Sequence, residues 1–290
     1  MTCYEEGDLM PAKSRLRNLI GVSSRVGLGG EGILRTEGRA KEAQEMLIGA
    51  YEGGIRYYDS APAYAGSEHY LGRFWREHPD WARQTFQTSK SALRDARRAS
   101  ADLNRSLSQL GRDHLGLCQI HDLRDIRDIR SLEGSEGALR VFYEARETGA
   151  VLGIGVSGHH DPDILLHAVR SWDIDSVLLP VSPIETVLGG FTDRVIPAAR
   201  EQGIGVIGMK VLGGGSYLSP ESGLSPDSLL RYALSQDVDL VIAGCSTPKE
   251  AHLLASVGRE PLPMEEEEQS RLVELFRPYA KLLAYYRGAL

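Results

Sequence analysis

An acid, a phenol, an ammonium and an imidazole recur near the ends of successive apolar runs in this chain. Asp59 closes the run that starts at Arg56, and Tyr64 follows in the next turn of chain. Lys90 follows the run Thr85–Ser89, and His121 closes the run Leu115–His121. These four residue types together suit proton donation to a carbonyl oxygen. A free tyrosine ionises near pH 10 and is a reluctant acid at neutral pH. A nearby ammonium stabilises the tyrosinate and eases release of the proton. A lysine withdrawn from water tends to lose its charge, which an adjacent carboxylate prevents. In that arrangement Asp59 keeps Lys90 charged, Lys90 tunes Tyr64, Tyr64 donates, and His121 orients or polarises the same oxygen. A carbonyl activated in this way needs a hydride, which no side chain supplies, so a nicotinamide is implied.

Each residue also has a plainer reading. Asp59 can cap a turn with Ser60, and Lys90 can be a solvated residue at a helix start. His121-Asp122 can be a local polar pair, and Tyr64 an exposed loop aromatic. Their shared placement at one end of consecutive strands argues against all four plain readings holding at once.

To bring these side chains together the chain must supply a parallel sheet. Short apolar runs alternate with helical patterns throughout, the signature of βα units. Strands are predicted at Arg25–Leu28, Arg56–Asp59, Thr85–Ser89, Leu115–His121, Leu152–Ser157, Ser176–Pro180, Gly205–Met209 and Leu240–Ala243. A turn-like segment around Leu19–Ser24 is expected to form a small hairpin ahead of them. Lys41–Glu52 reads as a helix with Ala43, Met46, Leu47 and Ala50 on one face, stopped by Gly53-Gly54. Ser91 is placed to cap the helix carrying Leu103, Leu107 and Leu110. Further helices are expected over Gly137–Thr148, Pro162–Ser171, Thr192–Gln202, Ser225–Ser235 and Thr247–Ser256. Glu265–Glu268 suits the first turn of a last helix carrying Leu272, Leu275, Phe276 and Leu282. Asp122–Gly137 and Gly213–Ser225 are the longest expected loops. Strands and helices alternating in this number predict an α/β fold, a (β/α)8 TIM barrel, with residues 1–290 as one domain. An open doubly wound sheet is the alternative. Gly27-Leu28-Gly29-Gly30-Glu31-Gly32 superficially matches its phosphate-binding turn, but no clear helix follows until Lys41.

Composition narrows the partners. With 290 residues, 42% of them hydrophobic, the chain can bury a large core without disulfide or metal. Cys3, Cys118 and Cys245 match no zinc or redox spacing, so a reducing, cytoplasmic setting is expected. No apolar run approaches the roughly 18 residues that would cross a bilayer. Met1–Ser14, carrying Glu5, Glu6 and Asp8, is not expected to be a secretory signal. The net charge of -7 argues against a nucleic-acid partner while leaving room for a local cationic pocket for a phosphorylated cofactor. His121, His159, His160, Asp122 and Asp161 could ligate the metal of a barrel hydrolase. No spaced histidine motif accompanies them. His159-His160-Asp161 therefore reads as the turn into the helix at Pro162, with Asp161 as its cap, and no metal is expected.

The four residues sit in longer motifs. Gly54-Ile55-Arg56-Tyr57-Tyr58-Asp59-Ser60-Ala61-Pro62-Ala63-Tyr64, followed by Ser67-Glu68 and Leu71-Gly72, resembles the Asp-Thr-Ala-x-x-Tyr segment of the aldo-keto reductases, with Ser60 in place of Thr. Thr88-Ser89-Lys90 resembles the family's lysine motif, and Asp113-His114-Leu115 with Gln119-Ile120-His121 its histidine strand. Gly153-Ile154-Gly155-Val156-Ser157-Gly158-His159 resembles its fifth strand. The likeness runs from about Leu19 to about Ser256. It implies NAD(P)H-dependent reduction of a small-molecule aldehyde or ketone, with Tyr64 as acid, Lys90 and Asp59 as its tuners and His121 as carbonyl orienter. It further implies that Ser157 touches the nicotinamide amide. The segment Gly208–Gly214 would cover the pyrophosphate, and Gly244–Pro248 would receive the adenosine phosphate.

The cofactor residues so implied are Gly30, Ser157, Gly158, Met209, Lys210, Leu212, Gly213, Cys245, Ser246 and Thr247. Four positions depart from the family's habit: Gly158 for Asn, Leu178 for Gln, Met209 for an aromatic, and Glu250 for an Arg that holds the 2′-phosphate. Lys249 is a possible substitute for that Arg. NADP is the implied coenzyme, with NAD possible, since Glu250 would repel a 2′-phosphate unless it turns away. A nucleotide-binding barrel that serves redox sensing or assembly with negligible turnover is the alternative function, disfavoured by the intact set of four.

Overall fold

A computed structural model describes residues 14–21, 24–259 and 262–287. Eight strands run β1 (Val26–Gly32), β2 (Tyr57–Tyr58), β3 (Phe86–Ser91), β4 (Leu117–Leu123), β5 (Ile154–Gly158), β6 (Ser176–Pro180), β7 (Gly205–Met209) and β8 (Leu240–Cys245). Each pairs in parallel with its sequence neighbours, and β8 closes back on β1 with Val26 opposite Val241. The strands read as short apolar runs because parallel barrel strands are covered on both faces. The expected (β/α)8 barrel is the fold.

Register carries the predicted residues to one end. Tyr58 stands opposite Gln87, and Lys90 opposite Gln119. Asp59 continues β2 by donating its backbone N–H to Leu28 O at 2.8 Å. The four residues therefore meet at the C-terminal end of β2, β3 and β4.

Two apolar layers hold the barrel. Inside it, Tyr57, Phe86, Leu117, Leu178, Ile207, Leu240 and Ile242 pack with Leu16 and Ile20 from below. Outside, residues such as Met46, Leu47, Trp75, Ile120 and Leu165 fill the space between strands and helices.

Leu16 and Ile20 belong to an element that the sequence reading misplaced. Among the described residues of Leu19–Ser24, Leu19 and Ile20 end a helix and form no part of the expected hairpin. A helix, Arg15–Ile20, ends there at Gly21 with φ 61°, and residues 22–23 lie outside the described residues. Ser14 caps it, accepting from Arg17 N, and the same Oγ donates to the buried Asp239. Leu16 packs so tightly beneath the barrel that a Cβ on Gly205 would come within 2.2 Å of it.

Other elements shift in detail. Ser91 does not cap the helix after β3. It closes the strand and donates to Asp102 at 2.7 Å, while Asp95 caps the helix Ala96–Leu110 by accepting from Arg98 N. The expected loop Asp122–Gly137 contains a helix, Ile126–Glu133, capped by Asp125. The pattern over Thr192–Gln202 opens with a π-helical turn, Phe191–Val195, before Ile196–Glu201. The last expected helix breaks at Arg277–Tyr279, where Pro278 sits, which leaves Leu282 77% exposed.

Helices Ser67–Glu77, Pro79–Arg83 and Pro183–Leu188 were not expected. No helix among the described residues is long and apolar enough to cross a membrane. Cys118 and Cys245 are buried free thiols. Cys3 and most of the segment Met1–Ser14 lie outside the described residues.

Candidate active site

Lys90 Nζ donates to both carboxylate oxygens of Asp59, at 2.6 and 2.5 Å, and to Ser60 O at 3.0 Å. Both residues are almost fully buried. A buried ion pair persists only if further hydrogen bonds satisfy its remaining atoms. Here Asp59 Oδ1 also accepts from Thr88 Oγ1 at 3.1 Å and Gln119 Nε2 at 3.4 Å. Ser60 ties the same corner to β3 through a 2.7 Å bond from its Oγ to Thr88 O.

Tyr64 stands on the turn that follows. Its N–H bonds Ala61 O at 3.0 Å, and its carbonyl accepts from Ser67 N at 2.8 Å. The hydroxyl lies 3.4 Å from His121 Nε2, with the two rings nearly perpendicular. Lys90 Nζ is 4.8 Å from the centre of the Tyr64 ring. All four predicted residues thus form one cluster. A cavity of about 550 Å³ opens over Lys90 and His121, walled by Pro62, Ala63 and Leu93 and by Arg98 and Arg105 of the following helix.

Burial works against the Lys90 charge, but Asp59 and Tyr64 together outweigh it, and the ammonium titrates above its usual range. Burial pushes the Tyr64 phenol up, and the opposing pull of Lys90 offsets only part of that. Lys90 therefore acts in the expected direction, while the net position of the phenol is above, not below, its usual value. His121 is lowered to about 3 by burial and by the Lys90 charge, so its imidazole is neutral at neutral pH.

Motif residues beyond the four also acquire reasons. Glu68 accepts from Ser89 Oγ at 2.6 Å, next to Lys90 in β3. A Cβ on Gly72 would come within 1.8 Å of Gln109 O, so the helix Ser67–Glu77 can approach the helix Ala96–Leu110 only with glycine there. Thr88 and Gln119 stand in the motifs quoted from the sequence, but their place in the Asp59 shell was not expected, because only strand register shows that they face the carboxylate.

The expected cofactor residues are spread around the same rim. Gly30 packs beneath Tyr64, where a Cβ would lie 2.5 Å from Cδ2. Ser157 Oγ accepts from Asp122 N at 3.0 Å and bonds Ile120 O at 3.4 Å, holding the end of β4. A Cβ on Gly158 would meet Leu123 O and Leu165, so a side chain there would point toward the helix layer. Leu178 belongs to the barrel interior, and Met209 packs against it there. Leu212 is half-buried, and Gly213, with φ 54°, lies against the Tyr217 ring.

Lys210 is the cation of this half. It is half-buried, its φ is 56°, and its Nζ lies 5.2 Å from the centre of the Tyr286 ring. Burial lowers its pKa, and no carboxylate lies within ion-pair distance among the described residues. An ammonium left in that condition fits an anionic group of a nucleotide. Cys245 closes β8 with its thiol pushed by burial to about 12. Thr247 Oγ1 accepts from Glu250 N, and Glu250 turns back so that its carboxylate accepts from Ser246 N at 2.7 Å. Lys249 is exposed beside it.

Of the five residues weighed as metal ligands, His121 and Asp161 part from the others. Asp161 caps the helix Pro162–Ser171 through Asp163 N, as expected, and His121 faces Tyr64. His159 and His160 instead meet Asp122.

The model of the aldo/keto reductase family matches residues 25–228, more than two thirds of the chain. A D-threo-aldose 1-dehydrogenase from a Pseudomonas species is 27% identical over 292 residues, covering 81% of this chain and 84% of that protein. Among solved structures, an aldo-keto reductase from Klebsiella pneumoniae in complex with NADPH superposes with a TM-score of 0.72 at 17% identity. That match covers 87% of this chain and 91% of the other. The holo form of an aldo-keto reductase from Bacillus halodurans gives 0.71 at 19% identity, covering 88% of this chain and 94% of the other. Those two likenesses bear on the fold; the family match spans the strands that carry Asp59, Lys90 and His121, and the chain belongs to the aldo/keto reductase family of oxidoreductases.

Proposed function

We propose that this enzyme reduces an aldehyde or ketone to an alcohol with NADPH, and that Tyr64 supplies the proton. The observation that carries this reading is the Tyr64 hydroxyl 3.4 Å from His121 Nε2, with the Asp59–Lys90 pair behind its ring. The nicotinamide, when bound, supplies the hydride to the carbonyl carbon.

The chain's own residues govern the oxygen. A carbonyl oxygen placed between Tyr64 and His121 can accept from the phenol and from a neutral imidazole N–H. As the carbon–oxygen π pair moves onto oxygen, it takes the phenolic proton, and the Lys90 ammonium stabilises the tyrosinate left behind. Asp59 keeps that ammonium charged in a site that would otherwise neutralise it. In the reverse direction the tyrosinate accepts the proton of an alcohol.

On the cofactor side, Lys210 would hold a phosphate. Ser246 and Thr247 would receive the adenosine end once the Glu250 carboxylate leaves the Ser246 N–H. The dehydrogenase relative acts on an aldose, which favours a polyhydroxylated aldehyde among the possible substrates.

Steady-state NADPH oxidation with a panel of aldehydes, paired with nucleotide binding read by fluorescence, tests this. Tyr64→Phe is expected to abolish reduction while binding persists. Wild-type turnover in that variant would remove Tyr64 from the mechanism. Nucleotide binding without turnover in the native chain would favour the sensing or assembly barrel instead.

A further inference from the structure

Asp122, His159 and His160 place one ligand atom each within 4.8 Å of one another on the rim beside the catalytic cluster. His160 Nε2 is 3.2 Å and His159 Nδ1 3.5 Å from Asp122 Oδ1. Ligands each about 2.0–2.1 Å from a tetrahedral zinc ion stand about 3.3 Å apart, so the two spacings from Asp122 match two edges of a zinc coordination sphere. Hydrogen bonding does not account for the contact: Asp122 Oδ1 and His160 Nε2 are buried polar atoms with no hydrogen-bond partner. Leaving two such atoms facing each other is costly, and buried orphans of this kind call for an ion or a water.

The surroundings hold the three ligands in place. Arg124 binds Asp122 Oδ2 through Nε and Nη2, at 2.9 and 2.7 Å, which leaves Oδ1 turned to the histidines. Asp122 itself sits at φ 58°, a left-handed conformation that costs an ordinary residue free energy, and Ser157 Oγ fixes its N–H. The Tyr286 ring meets His159 edge-on at 5.9 Å. The side chains keep between 18% and 28% of their surface exposed, which gives an ion a route in from solvent.

We propose that Asp122, His159 and His160 form a binding site for a divalent transition-metal ion of the zinc class, distinct from the Asp59–Tyr64–Lys90–His121 cluster. Two imidazoles and one carboxylate oxygen favour zinc over magnesium or calcium, which prefer all-oxygen shells. Three protein ligands leave the fourth position open to water or to an oxygen of a bound small molecule.

The full-length protein, stripped with chelator and dialysed against zinc chloride, is expected to retain one equivalent of zinc after desalting. Cobalt chloride should give the intense visible absorption of a four- or five-coordinate site in place of the weak spectrum of the hydrated ion. His159→Gln and His160→Gln should each weaken binding about tenfold or more. His167→Gln, on the helix Pro162–Ser171 and paired with Glu133, should bind as the native chain does. The proposal is overturned if the native protein retains no zinc and leaves the cobalt spectrum unchanged, or if both rim variants bind as tightly as the native chain.

Discussion

Gly30 and Tyr64 touch so closely that a single methyl group on Gly30 would lie 2.5 Å from the tyrosine ring. Asp59 O and Ser67 Oγ, each 3.1 Å from the same point, leave no other direction in which to yield. Gly30→Ala should therefore push the ring away from His121. Overpacking of this kind costs about 1–3 kcal/mol of stability. Misplacement of the donor by an ångström should lower kcat by about 10²-fold. Native turnover from Gly30→Ala would mean that the ring position is not what limits the reaction.

Asp59→Ala should destabilise the protein by about 3–5 kcal/mol in urea denaturation, because it leaves the Lys90 ammonium buried without its partner. The double substitution Asp59→Ala/Lys90→Met should recover part of that loss and none of the turnover. A double variant no more stable than Asp59→Ala would show that packing, not the unpaired charge, sets the cost.

Glu68 gives a pH signature. Burial raises its carboxyl above the ordinary 4.5, against the opposing bond from Ser89. Between those two values the unfolded chain has released the proton while the folded one still holds it. Stability from this group is thus greatest below about pH 4.5 and falls as pH rises through the raised value. Urea midpoints measured from about pH 4 to about pH 8 should show Glu68→Gln gaining on the native chain across that interval. A constant difference between the two would place the titration elsewhere.

Tyr286 and Arg287 are fastened through Glu185 of the helix Pro183–Leu188. This fully buried carboxylate accepts from Tyr286 OH and from Arg287, and Arg287 also donates to Gly189 O at 2.8 Å. Arg287→Met should release residues 284–287 and speed amide hydrogen exchange there and across the helix Pro183–Leu188. Unchanged protection would mean that the aromatic contacts of Tyr286 suffice to hold the tail.

Much of this was legible in the chain because burial on both faces leaves strands as apolar runs, and Asp59, Lys90 and His121 break those runs at one end. The support of the site was not. Thr88 and Gln119 reach Asp59 only once β2, β3 and β4 are in register, and spacing in the sequence carries no register. The helix Arg15–Ile20 shows too few residues for its period to be seen, with Leu16 and Ile20 as its whole buried face. The net displacement of Tyr64 depends on how deeply its ring is enclosed, which no motif reports. Asp122 and His159 were weighed together in the sequence as metal ligands and set aside for want of a spaced motif; they meet because β4 and β5 are neighbours.

The helix beneath the barrel has a consequence for traffic. With Leu16 wedged against Gly205 and Ile20 beside it, the lower end is sealed. Among the described residues, the cavity that reaches Lys90 and His121 opens at the other end, between Pro62, Ala63 and Leu93, so a ligand that meets them comes from the side on which the strands finish.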